Sequence, residues 1–238
     1  MRIKGLLAGV IAASALFAAA AQGSIISYGG GGNTADGNVS ASATFTTDNS
    51  GNLTIVLRNL QSAQNSQGQS LSGLTFVFGG TAVGTLSLTS QTGSRVNVAT
   101  GGAETPVAGN PTRWHIISGP GATAIGGGQP NDMIVGPKPA AGTGGFPNFN
   151  PYVDQVLTLV IHGTTLDANT TITSASFLFG TGPDYTKPGT QCTSPTQPNC
   201  GGTPGAGPTP EPGSMALALL GLGLLSGTLI RRKKADRA

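Results

Sequence analysis

Apolar and small polar residues alternate along much of this chain, and short runs of turn-forming residues separate the alternating stretches. Residues 39–45 (VSASATF) show the period of two that is typical of a strand with one buried face, and residues 53–57 (LTIVL) repeat it. Residues 48–52 (DNSGN), between the two runs, have the composition of a tight turn. This pattern predicts a β-hairpin.

Five further runs of β-branched or alternating residues occur between clusters of Gly, Asn and Pro, at residues 71–78, 83–89, 113–118, 153–162 and 171–179. The chain between its two apolar ends is poor in the Glu, Lys, Leu and Ala runs that helices prefer. About 185 residues remain there, enough for one domain with a core. The sequence therefore predicts an all-β ectodomain over residues 24–182, built as an antiparallel β-sandwich or jelly roll.

Two stretches interrupt the strand pattern. Residues 119–151 contain nine glycines and six prolines, which predicts a long loop. Such a loop is either a binding loop on a rigid scaffold or a mobile insertion. Residues 183–208 combine recurring Pro with polar residues and Gly, a composition typical of an extended, semi-rigid spacer.

The first 23 residues have the composition of a secretory signal peptide. Arg2 and Lys4 precede an almost wholly apolar stretch from Gly5 to Ala20, and small residues follow at the positions that signal peptidase requires. The alternative is an uncleaved membrane anchor. An anchor would normally be followed by a charged stop, whereas small residues follow this apolar stretch. We therefore expect export, with signal peptidase as a processing partner.

The other end of the chain predicts a single transmembrane helix. Residues 215–230 are sixteen uncharged residues, or about 24 Å of helix against a hydrocarbon core of about 30 Å. A basic stop follows, made of Arg231, Arg232, Lys233 and Lys234. By the positive-inside rule, this stop places residues 231–238 in the cytoplasm and the ectodomain outside the inner membrane.

The positive charge of the chain is concentrated at its ends. The whole sequence has a net charge of +3, yet residues 24–210 contain five basic and seven acidic residues, a net charge of −2. No basic patch in this region is available to bind phosphates, so nucleic acid is not an expected partner.

Cys192 and Cys200 are the only two cysteines, and both lie in the predicted spacer. In an oxidising compartment we expect them to form a disulfide; the alternative, a metal site, would need further Cys or His ligands nearby. Because the loop lies in the spacer, the bond is expected to stiffen the tail rather than to stabilise the β domain.

The residues that usually perform catalysis are sparse and isolated. His115 and His162 are the only histidines, and neither has Cys, Asp or Glu at ligand spacing. The sequence contains no G-x-S-x-G elbow and no phosphate-binding glycine motif. We therefore expect no enzymatic activity, no cofactor and no metal site.

Two weaker signals have simpler interpretations. Residues 48–52 resemble a fragment of a calcium loop, but the glycine comes one place early and the closing Glu is missing, so a turn is the better interpretation. Trp114, between Arg113 and His115, is a candidate for stacking on a sugar ring, although a single tryptophan in a strand is more often a core residue.

The C-terminal segment, residues 209–238, combines three features in a fixed order: a Pro-Glu-Pro motif, an LGLGL run at residues 220–224, and the basic stop. The motif consists of Pro210, Glu211 and Pro212. This arrangement resembles the PEP-CTERM sorting signal of Gram-negative bacteria, which is also labelled an ice-binding protein C-terminal domain. The family often has Val before the motif, where this chain has Thr209.

The resemblance implies processing by an exosortase, a membrane-embedded transpeptidase-like enzyme that would recognise the Pro-Glu-Pro motif and remove the tail. The inner membrane would then be a transient partner, and the ectodomain would reach the cell surface or the extracellular matrix. Proteins with this tail often accompany exopolysaccharide and biofilm production. A structural matrix protein is therefore the leading hypothesis; the alternatives are a polysaccharide- or ice-binding module and, less favoured, an exported enzyme.

Overall fold

The computed structural model describes residues 23–62, 64–80, 84–119, 122–126, 131–137, 146–182, 184–194 and 196–200. The predicted signal peptide, except for Gly23, and the predicted transmembrane helix and basic stop lie outside these ranges. Within the described part of the chain, no helix is both long and apolar enough to cross a membrane.

The described residues form strands and two short 3-10 helices. The strands are β1 (Ile25–Thr34), β2 (Gly37–Thr47), β3 (Asn52–Asn59), β4 (Leu71–Gly79), β5 (Leu86–Thr92), β6 (Arg95–Val98), β7 (Glu104–Val107), β8 (His115–Gly119), β9 (Ala122–Gly126), β10 (Ile134–Val135), β11 (Tyr152–Asp154), β12 (Val156–Gly163), β13 (Thr171–Phe179) and β14 (Tyr185–Gln191). The 3-10 helices are η1 (Gln67–Gln69) and η2 (Phe146–Phe149).

All of these strands belong to one continuous sheet. Its order is β5-β12-β3-β2-β1-β14-β13-β4-β10-β11-β6-β7, and β9 pairs with β4 and with β8. The pairs are antiparallel except for β10 with β11. The sheet curls into a half-barrel, so that β2, β3 and β12 face β4 and β13 across a shared core.

The core follows from the alternation in the sequence. From residue 39 onward on β2, and along β3 and β12, every second residue is buried; the residues between them are at least partly exposed except for Ser42, as expected for strands with one face toward the core. The large buried side chains of the main cluster include Phe45, Leu53, Ile55, Leu57, Phe76, Trp114, Leu159, Phe177 and Phe179. A second, smaller cluster lies near β6, β10 and β11 and contains Val96, Val98, Met133, Val135, Phe146 and Tyr152.

Two glycines mark the place where the two halves of the sheet join. Gly30 of β1 lies opposite Gly189 of β14. A Cβ at Gly30 would lie 2.5 Å from Cδ2 of Phe177, and one at Gly189 would lie 3.1 Å from its Cε2. The Phe177 ring therefore lies against bare backbone, a contact that only residues without a side chain permit.

The all-β, antiparallel prediction is confirmed, but the division into two separate sheets is not. The structure has more strands than the seven predicted, and β1 and β14 connect the two halves into one sheet. The predicted loop 119–151 is also wrong in part, because it contains β9, β10 and η2. Short strands flanked by Gly and Pro do not have a clear alternating pattern, so the periodicity of the sequence did not predict them.

The predicted start of the spacer at residue 183 is wrong. β14 lies in the middle of the sheet and pairs with both β1 and β13. Its sequence, YTKPGTQ, contains Pro188 and Gly189, which normally indicate a break rather than a strand. Here Pro188 pairs with Ser176, and Gly189 provides the space for Phe177.

Candidate functional site

The middle of the outer face of β2, β3, β12 and β5 is an array of β-branched side chains, with Arg58 of β3 beside it at one end and His162 of β12 beside it at the other. One row across the strands contains Thr46, Thr54 and Val160, and the next contains Thr44, Val56, Thr158 and Thr92. All seven side chains are at least partly exposed, and none is charged. Because neighbouring strands lie about 4.8 Å apart and alternate residues lie about 6.7 Å apart, the array presents hydroxyl and methyl groups at regular intervals. We call these seven residues the Thr/Val face.

A shallow groove lies at one end of the Thr/Val face, and we call it the Asp154 groove. It has a volume of about 430 Å³ and is formed where the β5–β6 turn passes the junction of β11 and β12. Its lining residues are Thr92, Gly93, Ser94, Asp154, Gln155, Val156 and Thr158. Thr92 and Thr158 therefore belong both to the face and to the groove.

The backbone around the groove is tightly held. Gln155 has a φ of 57°, in the left-handed region that non-glycine residues rarely adopt. Its N–H donates to Val135 O at 3.0 Å, and its carbonyl accepts from Asn59 N at 3.1 Å. A Cβ at Gly93 would lie 2.8 Å from Val156 O, so this turn approaches β12 more closely than a side chain would allow. The groove is thus a preformed feature of the fold.

Asp154 is the acidic residue of the groove. Its backbone N–H donates to Ser94 O at 2.8 Å. Its side-chain Oδ1 is buried and has no hydrogen-bond partner. Partial burial and the charge of Asp154 together raise the pKa of Glu104, a carboxyl at the start of β7. Because Oδ1 is buried, a ligand in the groove could bind the Asp154 carboxylate only through Oδ2.

Buried polar side chains fix the loops behind the groove. Asn59 donates through Nδ2 to Ile134 O at 2.9 Å, and Gln64 accepts from Gly136 N at 2.8 Å through Oε1. Asp132, which is 1% exposed, accepts from Arg95 Nε and from Thr112 N, each at 3.0 Å. No sequence pattern indicated these roles, because Asn, Gln and Asp occur in ordinary turns throughout the chain.

The predicted disulfide between Cys192 and Cys200 is confirmed, and their Cα atoms lie 5.7 Å apart. The expectation that it only stiffens a tail is wrong. Cys192 N donates to Ser27 O at 2.8 Å, and Ser40 Oγ donates to Asn199 Oδ1 at 2.8 Å. Cys200 is 6% exposed. Residues 192–200, which we call the disulfide loop, therefore dock on β1 and β2 as part of the domain.

The glycine run of β1 makes this docking possible. A Cβ at Gly29 would overlap the carbonyl of Asn199, and one at Gly31 would lie 3.1 Å from Asn199 Nδ2. In the sequence this run had no recognisable role, because it lacks the framing of a phosphate-binding motif. Its function here is to let a second segment approach the strand backbone closely.

The two histidines are not brought together with other catalytic groups. His115 and His162 are exposed, with Nδ1 3.1 Å from Arg113 O and 3.3 Å from Asn52 Oδ1, respectively. Among the described residues, no group of three or more His, Cys, Asp or Glu side chains is placed to hold a metal ion. The structure described here therefore offers no support for these histidines as catalytic or metal-binding residues.

Trp114 and Asp48 have structural roles. Trp114 is 2% exposed and donates from Nε1 to Asp132 O at 2.9 Å, which confirms the core interpretation. Asp48 Oδ1 accepts from Ser50 N at 2.8 Å and from Asn52 N at 2.9 Å. Desolvation opposes ionisation, but these hydrogen bonds outweigh it and lower the pKa of Asp48. The turn interpretation of residues 48–52 is therefore confirmed.

The remaining predicted site residues, Pro210, Glu211, Pro212 and the basic stop Arg231, Arg232, Lys233 and Lys234, lie outside the described residues. Comparison with protein families matches residues 208–234 to the model described as the PEP-CTERM protein-sorting motif. The chain carries a PEP-CTERM sorting motif. This motif implies an exported protein that is membrane-anchored, processed by an exosortase and sorted to the surface.

The PEP-CTERM match is confined to the C-terminal segment and does not cover the β domain. No curated protein and no solved structure matches the chain. The role of the domain that the PEP-CTERM motif sorts must therefore be argued from its own surfaces.

Breaking the disulfide is expected to destabilise the whole β domain. Replacing both cysteines in the variant Cys192→Ser/Cys200→Ser should lower the free energy of unfolding by roughly 2.5 kcal/mol, because a small closed loop is lost from the unfolded chain. Thermal unfolding followed by circular dichroism measures this effect on the exported protein. Reductant should lower the melting temperature of the wild type and leave that of the variant unchanged. An equal melting temperature for both proteins would show that the loop is independent of the domain.

Proposed function

We propose that this protein is a structural component of the cell surface or extracellular matrix, delivered by an exosortase and without enzymatic activity of its own. The observation that carries the proposal is the PEP-CTERM sorting motif at residues 208–234, which follows the β domain directly in the chain. The motif supports export and sorting. The matrix role is our inference from the domain.

The character of the β domain supports a structural role. Its strands form one continuous sheet around a well-packed core, and the disulfide loop closes its C-terminal end. A low density of charged residues and a disulfide suit a protein that persists outside the cell. In this proposal the protein comes from a Gram-negative bacterium. Before exosortase processing, the protein crosses the inner membrane once, through residues 215–230.

The proposed partners follow from this route. Signal peptidase would remove the first 23 residues, the inner membrane would hold the chain temporarily, and the exosortase would cut near Pro210, Glu211 and Pro212. Exopolysaccharide is the proposed partner at the destination. Nucleic acid is not proposed, because residues 24–210 have a net charge of −2.

The variant Glu211→Ala tests the sorting step. Loss of the carboxylate should leave an unprocessed, membrane-bound form in an exosortase-positive host. Cell fractionation and mass spectrometry of the mature protein measure the outcome. Thr209→Val is the matched control, since it changes the adjacent residue to the one that the family often has there, and it should mature normally. Equal maturation of Glu211→Ala and the wild type would contradict the proposal.

A second candidate function, binding of an extended uncharged surface such as ice, is favoured by one observation. The Thr/Val face places Thr46 beside Thr54, and Thr44 and Thr158 on either side of Val56. Ordered hydroxyl and methyl groups without charge suit a lattice of neutral hydrogen-bonding groups better than they suit an ionic partner.

The variant Thr54→Lys tests this second function. A flexible, strongly hydrated charge in the middle of the Thr/Val face should abolish adsorption to growing ice crystals. Thr190→Lys, at an exposed position on β14, is the matched control and should leave adsorption intact. Ice-affinity partitioning measures both variants. If the wild type itself remains in the liquid fraction, the Thr/Val face is not an ice-binding surface.

A further inference from the structure

The Asp154 groove brings several kinds of polar side chain together. Asp154 contributes a carboxylate, and Gln155 contributes an amide. The hydroxyl groups of Thr92, Ser94 and Thr158 also line the groove, and Val156 adds an apolar surface among them. Several donors and acceptors therefore converge on one place, as in sites that fix the orientation of a polar ligand.

The charge of the groove limits the class of ligand. Its lining contains one carboxylate and no Lys, Arg or His, and the nearby Arg58 lies opposite Val156 on β3, so the site has no excess of positive charge that would favour an anionic ligand. A divalent cation prefers several oxygen ligands, including more than one carboxylate in most sites. A single carboxylate among hydroxyl and amide groups suits instead a neutral ligand with many hydroxyl groups, because the carboxylate accepts strong hydrogen bonds from them.

The size and position of the groove favour an extended ligand. Its volume of about 430 Å³ lies within the range of roughly 300–1,000 Å³ that is typical of small-molecule sites. It is shallow, so a chain of sugar units can enter and leave at its ends. Thr92 and Thr158 continue it onto the Thr/Val face, whose hydroxyl groups are uncharged. The backbone of the groove is held on both sides of Gln155, so binding requires little reorganisation.

We propose that the Asp154 groove binds a segment of a neutral polysaccharide, with the Asp154 carboxylate accepting hydrogen bonds from sugar hydroxyl groups. Gln155 and Thr158 orient the segment, and Val156 packs against the C–H surface of a sugar ring. This inference rests on the proposed surface or matrix location, since it supplies the contact between the sorted domain and the surrounding polysaccharide.

Isothermal titration calorimetry of the purified full-length protein in detergent micelles tests the proposal. The probes are neutral hexasaccharides of glucose, galactose, mannose and N-acetylglucosamine, and one acidic hexasaccharide of uronic acid units. We expect at least one neutral probe to bind and the acidic probe to bind more weakly. Hydrogen–deuterium exchange in the presence of that neutral probe should show protection at residues 92–94 and 154–158.

Two variants and a control locate the site. Asp154→Asn keeps the shape but removes the charge and one acceptor, and it should weaken binding about tenfold or more. Thr158→Val is isosteric and should weaken binding about threefold. If Asp154→Asn fails to fold, the binding of Thr158→Val tests the groove in its place. Thr190→Val, on exposed β14, should bind as the wild type does.

The proposal is overturned if no neutral hexasaccharide binds, if protection appears away from the groove, if the acidic probe binds more tightly, or if the folded groove variants bind like the wild type. None of these results depends on sorting. Failure of the groove and failure of the Glu211→Ala experiment therefore remain distinguishable.

Discussion

The contact between the Phe177 ring and the backbone of Gly30 and Gly189 is the constraint on which the rest of the fold depends. Gly30 and Gly189 pair across β1 and β14, the two strands that join the halves of the sheet. Without side chains at this point, the sheet can curl and bring β2, β3 and β12 onto β4 and β13 around one core. The Thr/Val face follows from this arrangement, because alternate residues of a strand point to opposite faces of the sheet, and those that do not point into the core point outward.

The same strands determine where the domain ends. β14 provides one of the paired glycines, and the disulfide loop that follows it docks on β1 through Ser27 and Asn199. The folded unit therefore extends to Cys200, only a few residues before the sorting motif that begins at residue 208. An exosortase cut near that motif would leave the sheet, the core and the disulfide intact.

The sequence predicted the parts of the structure that depend on regular alternation. The hairpin of β2 and β3 and the strands that carry Leu159 and Phe177 followed from the period of two, and the disulfide followed from cysteine count and compartment. β14 was missed because Pro188 and Gly189 are normally strand breakers, and only tertiary pairing reveals their role. The Asp154 groove was missed because it joins residues 92–94 and 154–158, which no local pattern connects.

Truncation on either side of β14 and the disulfide loop tests the account most directly. A chain ending after Gly207 should unfold in one cooperative transition at the same temperature as the exported protein, because every strand and the disulfide remain. A chain ending after Gly182 should lose that transition, because the strand that joins the two halves of the sheet is missing. Equal melting temperatures for the two truncated chains would show that β14 and the disulfide loop are a spacer after all.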